Sequence, residues 1–235
     1  MTRLIASIKL DATVQWRNRF YAIGIALALL LGFGLSQAFE RAALGQVIPL
    51  LFLFAIGGTT LLYVAGLVIF EKGEGTLDAL IVSPLRLDEY IVSKLVTLTF
   101  IAVLESLLIV AVAYGLTGFN AVLLLAGLVL IGVQLTLVGF IMIVRYNSIT
   151  DFLIPVLVVA LVLQLPFLYF IGISPSPLWL FIPTSAPTML MWGAWNPLET
   201  WQIIYGLVYS AVTIGVAYRW ALLAFRKHII LRERD

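Results

Sequence analysis

One carboxylate lies deep in an apolar part of the sequence. Glu105 is about eleven residues into the run that begins at Leu95, near mid-bilayer at about 1.5 Å of rise per residue. Gln134 and Gln164 have similar depth in two later runs. Such a carboxylate either meets a cationic or zwitterionic substrate or a proton, or is protonated and bonded to Gln134, Gln164 or Ser106. We favour the first role and predict a substrate pathway through Glu105, Gln134 and Gln164.

Other chemistries are missing from the sequence. No G-x-x-x-x-G-K-[ST] phosphate loop surrounds any of the four lysines, and no H-E-x-x-H pattern occurs. The single histidine, His228, lies in a basic tail without a serine beside it, and there is no cysteine. We predict no catalytic residue, no metal site and no cofactor in this chain.

A polar segment at residues 70–94 separates two apolar runs. It holds five of the twelve acidic residues: Glu71, Glu74, Asp78, Asp88 and Glu89. Gly73 and Gly75 should end the preceding helix, and Thr76 should cap a short helix that Pro84 stops. The apolar face of that helix contains Leu77, Leu80 and Ile81, which predicts docking on a partner, on the membrane surface or on the chain's own spans.

The order of residues in this segment resembles a known family. Glu71, Glu74, the run Gly75, Thr76, Leu77, the pair Ser83 and Pro84, then Tyr90 and Lys94 are similar to the segment between spans two and three of type-2 ABC exporter permeases. The similarity is greatest to small drug-export permeases of the fluoroquinolone-exporter kind. It covers the chain in length, span count and span spacing, and extends more loosely to residues 150–192.

The resemblance implies partners and a cargo. Separate ATPase subunits would bind ATP and Mg²⁺, and the chain would work as a dimer with a second copy or a sister permease, with no nucleic acid involved. The cargo would be hydrophobic or amphipathic. The residues implied in ATPase coupling are Glu71, Glu74, Gly75, Thr76, Leu77, Leu80, Ser83 and Pro84.

Composition defines the fold class. The chain has 235 residues, 63% of them hydrophobic and 11% charged, with a mean hydropathy of +1.12. These values exclude an ordinary soluble domain and predict an all-α integral membrane protein with one permease domain over residues 1–235. Runs long enough to span occur at residues 20–38, 47–70, 95–116, 122–144, 152–173 and 203–225.

The N-terminal residues 1–19 have no signal-peptide pattern. Six apolar residues share one arc of a helical wheel: Leu4, Ile5, Ile8, Ala12, Trp16 and Phe20. This pattern fits either an amphipathic helix on the membrane surface or a basic flank that orients the first span. The resemblance favours the surface helix.

Two other segments fall outside the runs. Residues 174–201 contain five prolines and four tryptophans, and the apolar pieces at 178–182 and 188–192 are too short to span. We expect either short re-entrant helices, as the resemblance implies, or a loop on the outer surface with a tryptophan belt. In the fifth run, Pro155 and Pro166 should bend the helix or free carbonyl groups. The tail 226–235 should bind anionic headgroups on the cytoplasmic side.

Several functions fit this pattern. The first is the permease subunit of an ABC-type exporter of drug-like compounds, in the cell membrane. A lipid or lipid-linked glycan exporter is the alternative. A membrane-embedded lipid-modifying enzyme would use Glu105 and need a metal, for which Glu71, Glu74 and Asp78 are the only clustered acids. An accessory membrane protein without an energy source is a further class, which co-purification with an ATPase would separate from the exporters.

Charge distribution predicts the topology. Thirteen of the fourteen Lys and Arg residues fall on the side of the predicted spans that carries both termini, and Arg41 alone lies on the other side. The positive-inside rule assigns the first side to the cytoplasm. We expect single cysteines at position 75 to react with an impermeant reagent only after cells are opened, and cysteines at 41 and 192 to react in intact cells. Labelling of Gly75→Cys from outside would contradict this topology.

Overall fold

The computed structural model describes residues 2–77 and 85–230. Within them the chain is helical, and no strand is found. The helices are α1 (Thr2–Arg17), α2 (Phe20–Ala38), α3 (Arg41–Gly73), α4 (Leu87–Ala113), α5 (Ala121–Ile143), α6 (Ile149–Gln164), α7 (Phe167–Phe170), α8 (Ser185–Trp192) and α9 (Thr200–Phe225). A 3₁₀ turn covers Pro177–Phe181, and a π-helical turn covers Arg226–Ile230.

Six helices are long and apolar enough to cross a membrane, as the sequence predicts. They are α2, α3, α4, α5, α6 continued through α7, and α9 with the turn after it. The two largest differences from the predicted boundaries are the starts of two helices. The helix α3 begins at Arg41 instead of residue 47, and α4 begins at Leu87 instead of residue 95. Part of the segment expected as a loop at 71–94 is therefore helix, because tertiary partners satisfy its polar side chains.

Local sequence signals explain where these helices begin and end. The helix α3 ends at Gly73, and Gly75 follows with φ of 67°, a left-handed conformation that glycine adopts without strain. The backbone N–H of Arg86 donates to Glu89 Oε2 at 2.9 Å at the start of α4. The Ser148 side chain caps the start of α6, because it accepts the Thr150 N–H at 3.1 Å.

The fifth span breaks near Pro166. The helix α6 includes Pro155 and ends at Gln164, and α7 resumes after Pro166. The carbonyl of Leu163 accepts a short hydrogen bond from the Thr184 hydroxyl. The protein thus satisfies a carbonyl group near the proline break. A free carbonyl within the hydrocarbon layer needs a hydrogen bond from protein or from water.

The helix α5 is the centre of the bundle, with α3, α4, α8 and α9 around it. About half of each of α3, α4 and α5 is buried, whereas the fifth and sixth spans are 17% buried. Those two spans therefore leave most of their apolar surface to lipid or to another chain. At the end away from residues 70–94, Arg41 donates to the Thr117 carbonyl at 3.0 Å and stacks on Tyr114.

The segment 174–201 contains a buried helix. Residues 185–191 of α8 are buried against α5 and α9. Contact is so close that a Cβ on Gly127 would lie 2.5 Å from Met191 Cγ and 2.8 Å from the Pro187 carbonyl oxygen. Packing of this kind needs glycine. The depth of α8 in the membrane, and so its re-entrant character, stays a prediction.

Candidate functional site

A buried ammonium group joins three helices at the end of the bundle that carries residues 70–77. Lys94 on α4 is 1% exposed. Its Nζ lies 2.6 Å from Glu71 Oε1 at the end of α3 and 3.1 Å from Asp11 Oδ1 on α1. Removing a charge from water is costly unless partners of opposite charge replace the solvent, and two carboxylates do so here.

Hydrogen bonds complete this group, which we call the Lys94 cluster (Asp11, Glu71, Tyr90, Ser93 and Lys94). The Tyr90 hydroxyl donates to Glu71 Oε2 at 2.5 Å, and the Ser93 hydroxyl donates a short hydrogen bond to Asp11. The ammonium also lies 4.3 Å from the centre of the Tyr90 ring. Both oxygens of each carboxylate are therefore bound within the chain.

The N-terminal helix α1 turns its polar side towards the protein. Ser7, Asp11 and Gln15 recur every fourth residue and are buried. Gln15 Nε2 donates to Thr97 Oγ1 on α4 at 2.8 Å. Ile5 and Trp16 are exposed on the other sides of α1. The helix predicted from the sequence is thus present, and its place on the membrane surface stays a prediction.

Lys72 links the same end of the bundle to α5. Its Nζ donates to the carbonyl oxygens of Val144 at 3.1 Å and Tyr146 at 2.6 Å, just beyond the end of α5. A cation suits this position, because the last carbonyls of a helix lack intrahelical donors. The connection between α3 and α4 is therefore tied to the turn between α5 and α6.

Two of the residues expected to contact an ATPase pack into the bundle. Glu71 is held in the Lys94 cluster, and Leu77 is 3% exposed within the apolar core. Burial removes the apolar surface of the Leu77 side chain from water, which lowers the free energy and explains its inward orientation. Leu77 thus packs inwards and both oxygens of Glu71 are bonded within the chain, and a role of either residue in ATPase coupling stays a prediction.

Other residues of that set differ in position. Glu74 and Thr76 are exposed. The Thr76 hydroxyl donates to the Glu71 carbonyl at 2.9 Å. Gly75 forms the left-handed turn. The remaining members lie outside the described residues: Leu80, Ser83 and Pro84, together with Asp78 and Ile81.

Glu105 lies beside a cavity between α2, α3 and α4. It is 8% exposed, and Oε1 accepts a hydrogen bond from the Tyr63 hydroxyl at 3.0 Å. The cavity has a volume of about 230 Å³ and is otherwise mainly apolar, with Thr59 and Ser106 at its wall. A Cβ on Gly24 would lie 1.9 Å from Glu105 Oε1, so glycine on α2 makes room for the carboxylate.

The three residues of the predicted pathway do not meet. Gln134 lines a second cavity and donates from Nε2 to Thr213 Oγ1 at 2.7 Å. Gln164 lines a third, small cavity with Gly57 and Leu61 of α3. The prediction of similar depth was insufficient, because each side chain points from its own helix into a different space. Neither Gln134 nor Gln164 hydrogen-bonds to Glu105, which instead accepts a hydrogen bond from the Tyr63 hydroxyl.

Sequence reasoning missed two important groups. Asp11 belongs to a polar stripe at four-residue spacing on α1, and that spacing is the signal that reveals its inward orientation. Tyr63 has no such signal, because an isolated tyrosine in an apolar run is equally suited to an interface or to a core. Only tertiary structure pairs it with Glu105.

The six long apolar helices of the described residues define a multi-pass helical membrane protein. Sequence comparison makes the assignment specific: the fluoroquinolones export permease protein family matches residues 2–233, and the chain belongs to this family. The fluoroquinolones export permease proteins of Mycobacterium tuberculosis strains CDC 1551 and H37Rv are each 32% identical to it, over 99% of both chains. The chain is thus similar in full length to named drug-export permeases.

The Lys94 cluster predicts a large loss of stability on substitution of its lysine. Lys94→Met leaves two buried carboxylates without their cation, which should lower the free energy of unfolding by about 3–5 kcal/mol. Lys9→Met on the exposed side of α1 is the matched control and should change it by under about 0.5 kcal/mol. Unfolding of the purified protein in detergent measures both. Equal stability of the two variants would contradict the structural role of the cluster.

Proposed function

We propose that the chain is the membrane-spanning subunit of an ABC-type exporter that moves a hydrophobic or amphipathic, drug-like compound out of the cytoplasm. Separate ATPase chains bind ATP and Mg²⁺ and hydrolyse ATP. The observation that carries this proposal is the full-length match to the export permease family. The sequence supports the division of labour, since it has no phosphate loop of its own.

The proposed arrangement puts the chain in the cell membrane with both termini in the cytoplasm. The basic residues support this orientation. The subunit works as a dimer with a second copy or a sister permease. The support is the large apolar surface that the fifth and sixth spans leave uncovered, of which a partner chain would bury part.

Coupling to the ATPase is proposed to act at the connection between α3 and α4. Exposed Glu74 and Thr76 are available for contacts there, whereas Glu71 and Leu77 connect the segment to the bundle. A displacement of the segment would pass through the Lys94 cluster to α1, α3 and α4 and through Lys72 to the end of α5. A fully satisfied network of buried polar groups is rigid, and a rigid network passes a displacement from one helix to the next.

Glu105 is proposed to meet cargo in the cavity between α2, α3 and α4. The Tyr63 hydroxyl holds one of its oxygens, Oε1, at the wall of this cavity. An intramembrane carboxylate in this position suits a cationic or zwitterionic group.

The coupling proposal predicts the effect of adding positive charge at the two exposed positions of this connection, Glu74 and Thr76. Glu74→Arg with Thr76→Arg should reduce ATPase pull-down and drug-stimulated ATP hydrolysis by about tenfold, because rim charges guide association. Thermal stability should be unchanged. Glu40→Arg, exposed at the opposite end, is the control.

Interpretation of this test depends on the choice of residue. Leu77→Asp is unsuitable, because a charge in the core would unfold the bundle whatever its partners. Normal ATPase binding and hydrolysis in the Glu74 and Thr76 double variant would exclude the docking surface.

Glu105→Gln tests the cargo pathway. Glutamine keeps the size of the side chain and can accept the Tyr63 hydrogen bond, so assembly and thermal stability should be retained. Loss of the charge should lower export of a cationic or zwitterionic drug by about tenfold and leave a neutral compound less affected. Glu199→Gln, exposed before α9, is the control. Unchanged export across a range of pH would make Glu105 a structural residue.

A further inference from the structure

The cavity between α2, α3 and α4 contains a carboxyl group that is largely removed from water. Glu105 lines this cavity and is 8% exposed. On the side of α2, a Cβ on Gly24 would lie 1.9 Å from Glu105 Oε1 and 2.7 Å from its Cδ, which leaves no space there for solvent or a counter-ion. The cavity volume of about 230 Å³ is below the range of about 300–1,000 Å³ typical of small-molecule sites, so the cavity admits one end of a larger molecule.

The protein supplies no cation to neutralise this carboxyl. Among the described residues, no Lys, Arg or His forms an ion pair with Glu105. The packed helices α2 and α5 contain no charged residue, and their one titratable side chain is Tyr21 of α2. The charged residues of α3 lie in its first and last turns, so Tyr63 is its titratable group in contact with Glu105.

The nearest charge on α4 is also distant. Lys94 lies eleven residues before Glu105, about 16 Å along the helix, and α1 contributes its carboxylate there, within the Lys94 cluster. An unpaired carboxylate at membrane depth is unfavourable, because the charge has lost its solvent and has gained no partner. Uptake of a proton removes this cost.

Two hydroxyl groups of α3 satisfy the carboxyl in either protonation state. Tyr63 donates to Glu105 Oε1 at 3.0 Å, and Thr59, one turn earlier, also hydrogen-bonds to Glu105. The Thr59 hydroxyl has a second acceptor, the Ala55 carbonyl of its own helix, at 2.9 Å. With its single proton, Thr59 donates to the ionised carboxylate, or it donates to Ala55 and accepts the proton of the acid. The site thus accommodates both forms of Glu105 without a change of partners.

We propose that Glu105 exchanges a proton for the cationic end of the cargo. In the empty cavity the carboxyl holds a proton. When an ammonium group enters, the O–H bond breaks, the proton leaves to bulk water and the carboxylate pairs with the cation, so the cavity has no net charge before or after. Release of the cation returns a proton to Glu105. The inference rests on the proposed export function, because the cation is taken to be cargo.

Binding of a permanently charged probe tests the exchange without transport. The purified protein in phosphatidylcholine nanodiscs is titrated with radiolabelled hexyltrimethylammonium, which has a small cationic head and no proton to exchange, between about pH 5 and about pH 8. Because each bound cation displaces one proton, the Kd should rise about tenfold for each unit by which the pH falls below the value at which the empty site ionises. Proton release, followed with an indicator dye in weakly buffered solution, should approach one per bound cation.

One variant and a matched control assign the proton to Glu105. Glu105→Gln keeps the size of the side chain and the Tyr63 hydrogen bond but has no ionisable group. Its Kd should be independent of pH, and at about pH 8 it should be about tenfold above that of the parent protein. Glu199→Gln removes an exposed carboxyl before α9 and should behave as the parent does. Melting temperatures at each pH establish that both variants are folded.

Three outcomes would overturn the exchange. These are a Kd of the parent protein that does not change with pH, a pH dependence that persists in Glu105→Gln, and no binding of the probe by the parent protein at any pH. Drug efflux from cells is measured in parallel. Efflux that persists alongside any of these outcomes excludes the exchange and leaves the export function intact, whereas exchange without any efflux contradicts the export function and not the exchange.

Discussion

The ammonium of Lys94 is almost fully removed from water, and the arrangement of one end of the bundle depends on how its charge is satisfied. Two carboxylates from two other helices approach it within 3.1 Å. Each carboxylate is itself bonded to a hydroxyl on α4. A buried charge that has only some of its partners is much higher in free energy than a charge in water. The positions of α1, α3 and α4 therefore depend on one another.

The Lys94 cluster changes how the polar segment between α3 and α4 is interpreted. A sequence of alternating acids and glycines suggests a loop in water whose charges face a partner. Glu71 and Leu77 instead secure the segment to the bundle, and Glu74 and Thr76 face outwards. The described part of the segment at residues 71–77 thus has an inner side that connects to the spans and an exposed outer side, which is the arrangement that the proposed coupling requires.

The interior of the bundle shows two different uses of polar groups at membrane depth. Most are satisfied locally, such as Ser106, which donates to the Ala102 carbonyl on its own helix. Glu105 and Gln134 are different, because each lines a cavity and hydrogen-bonds to a side chain of another helix, Tyr63 and Thr213 respectively. Apolar spans gain nothing from such groups, which is why function is the reasonable expectation for both.

The sequence by itself determined the fold class, the six spans and the end of α3 at Gly73, since hydropathy and glycine act locally. The side that each polar residue faces was decided by the tertiary structure. Glu105, Gln134 and Gln164 have similar depth but point into separate cavities, and the partner of Glu105 is Tyr63. Likewise, the sequence places Lys94 at the end of a polar segment, whereas the structure buries it between Asp11 and Glu71. Depth along a helix follows from counting residues, whereas direction and partner depend on how neighbouring helices are rotated and packed.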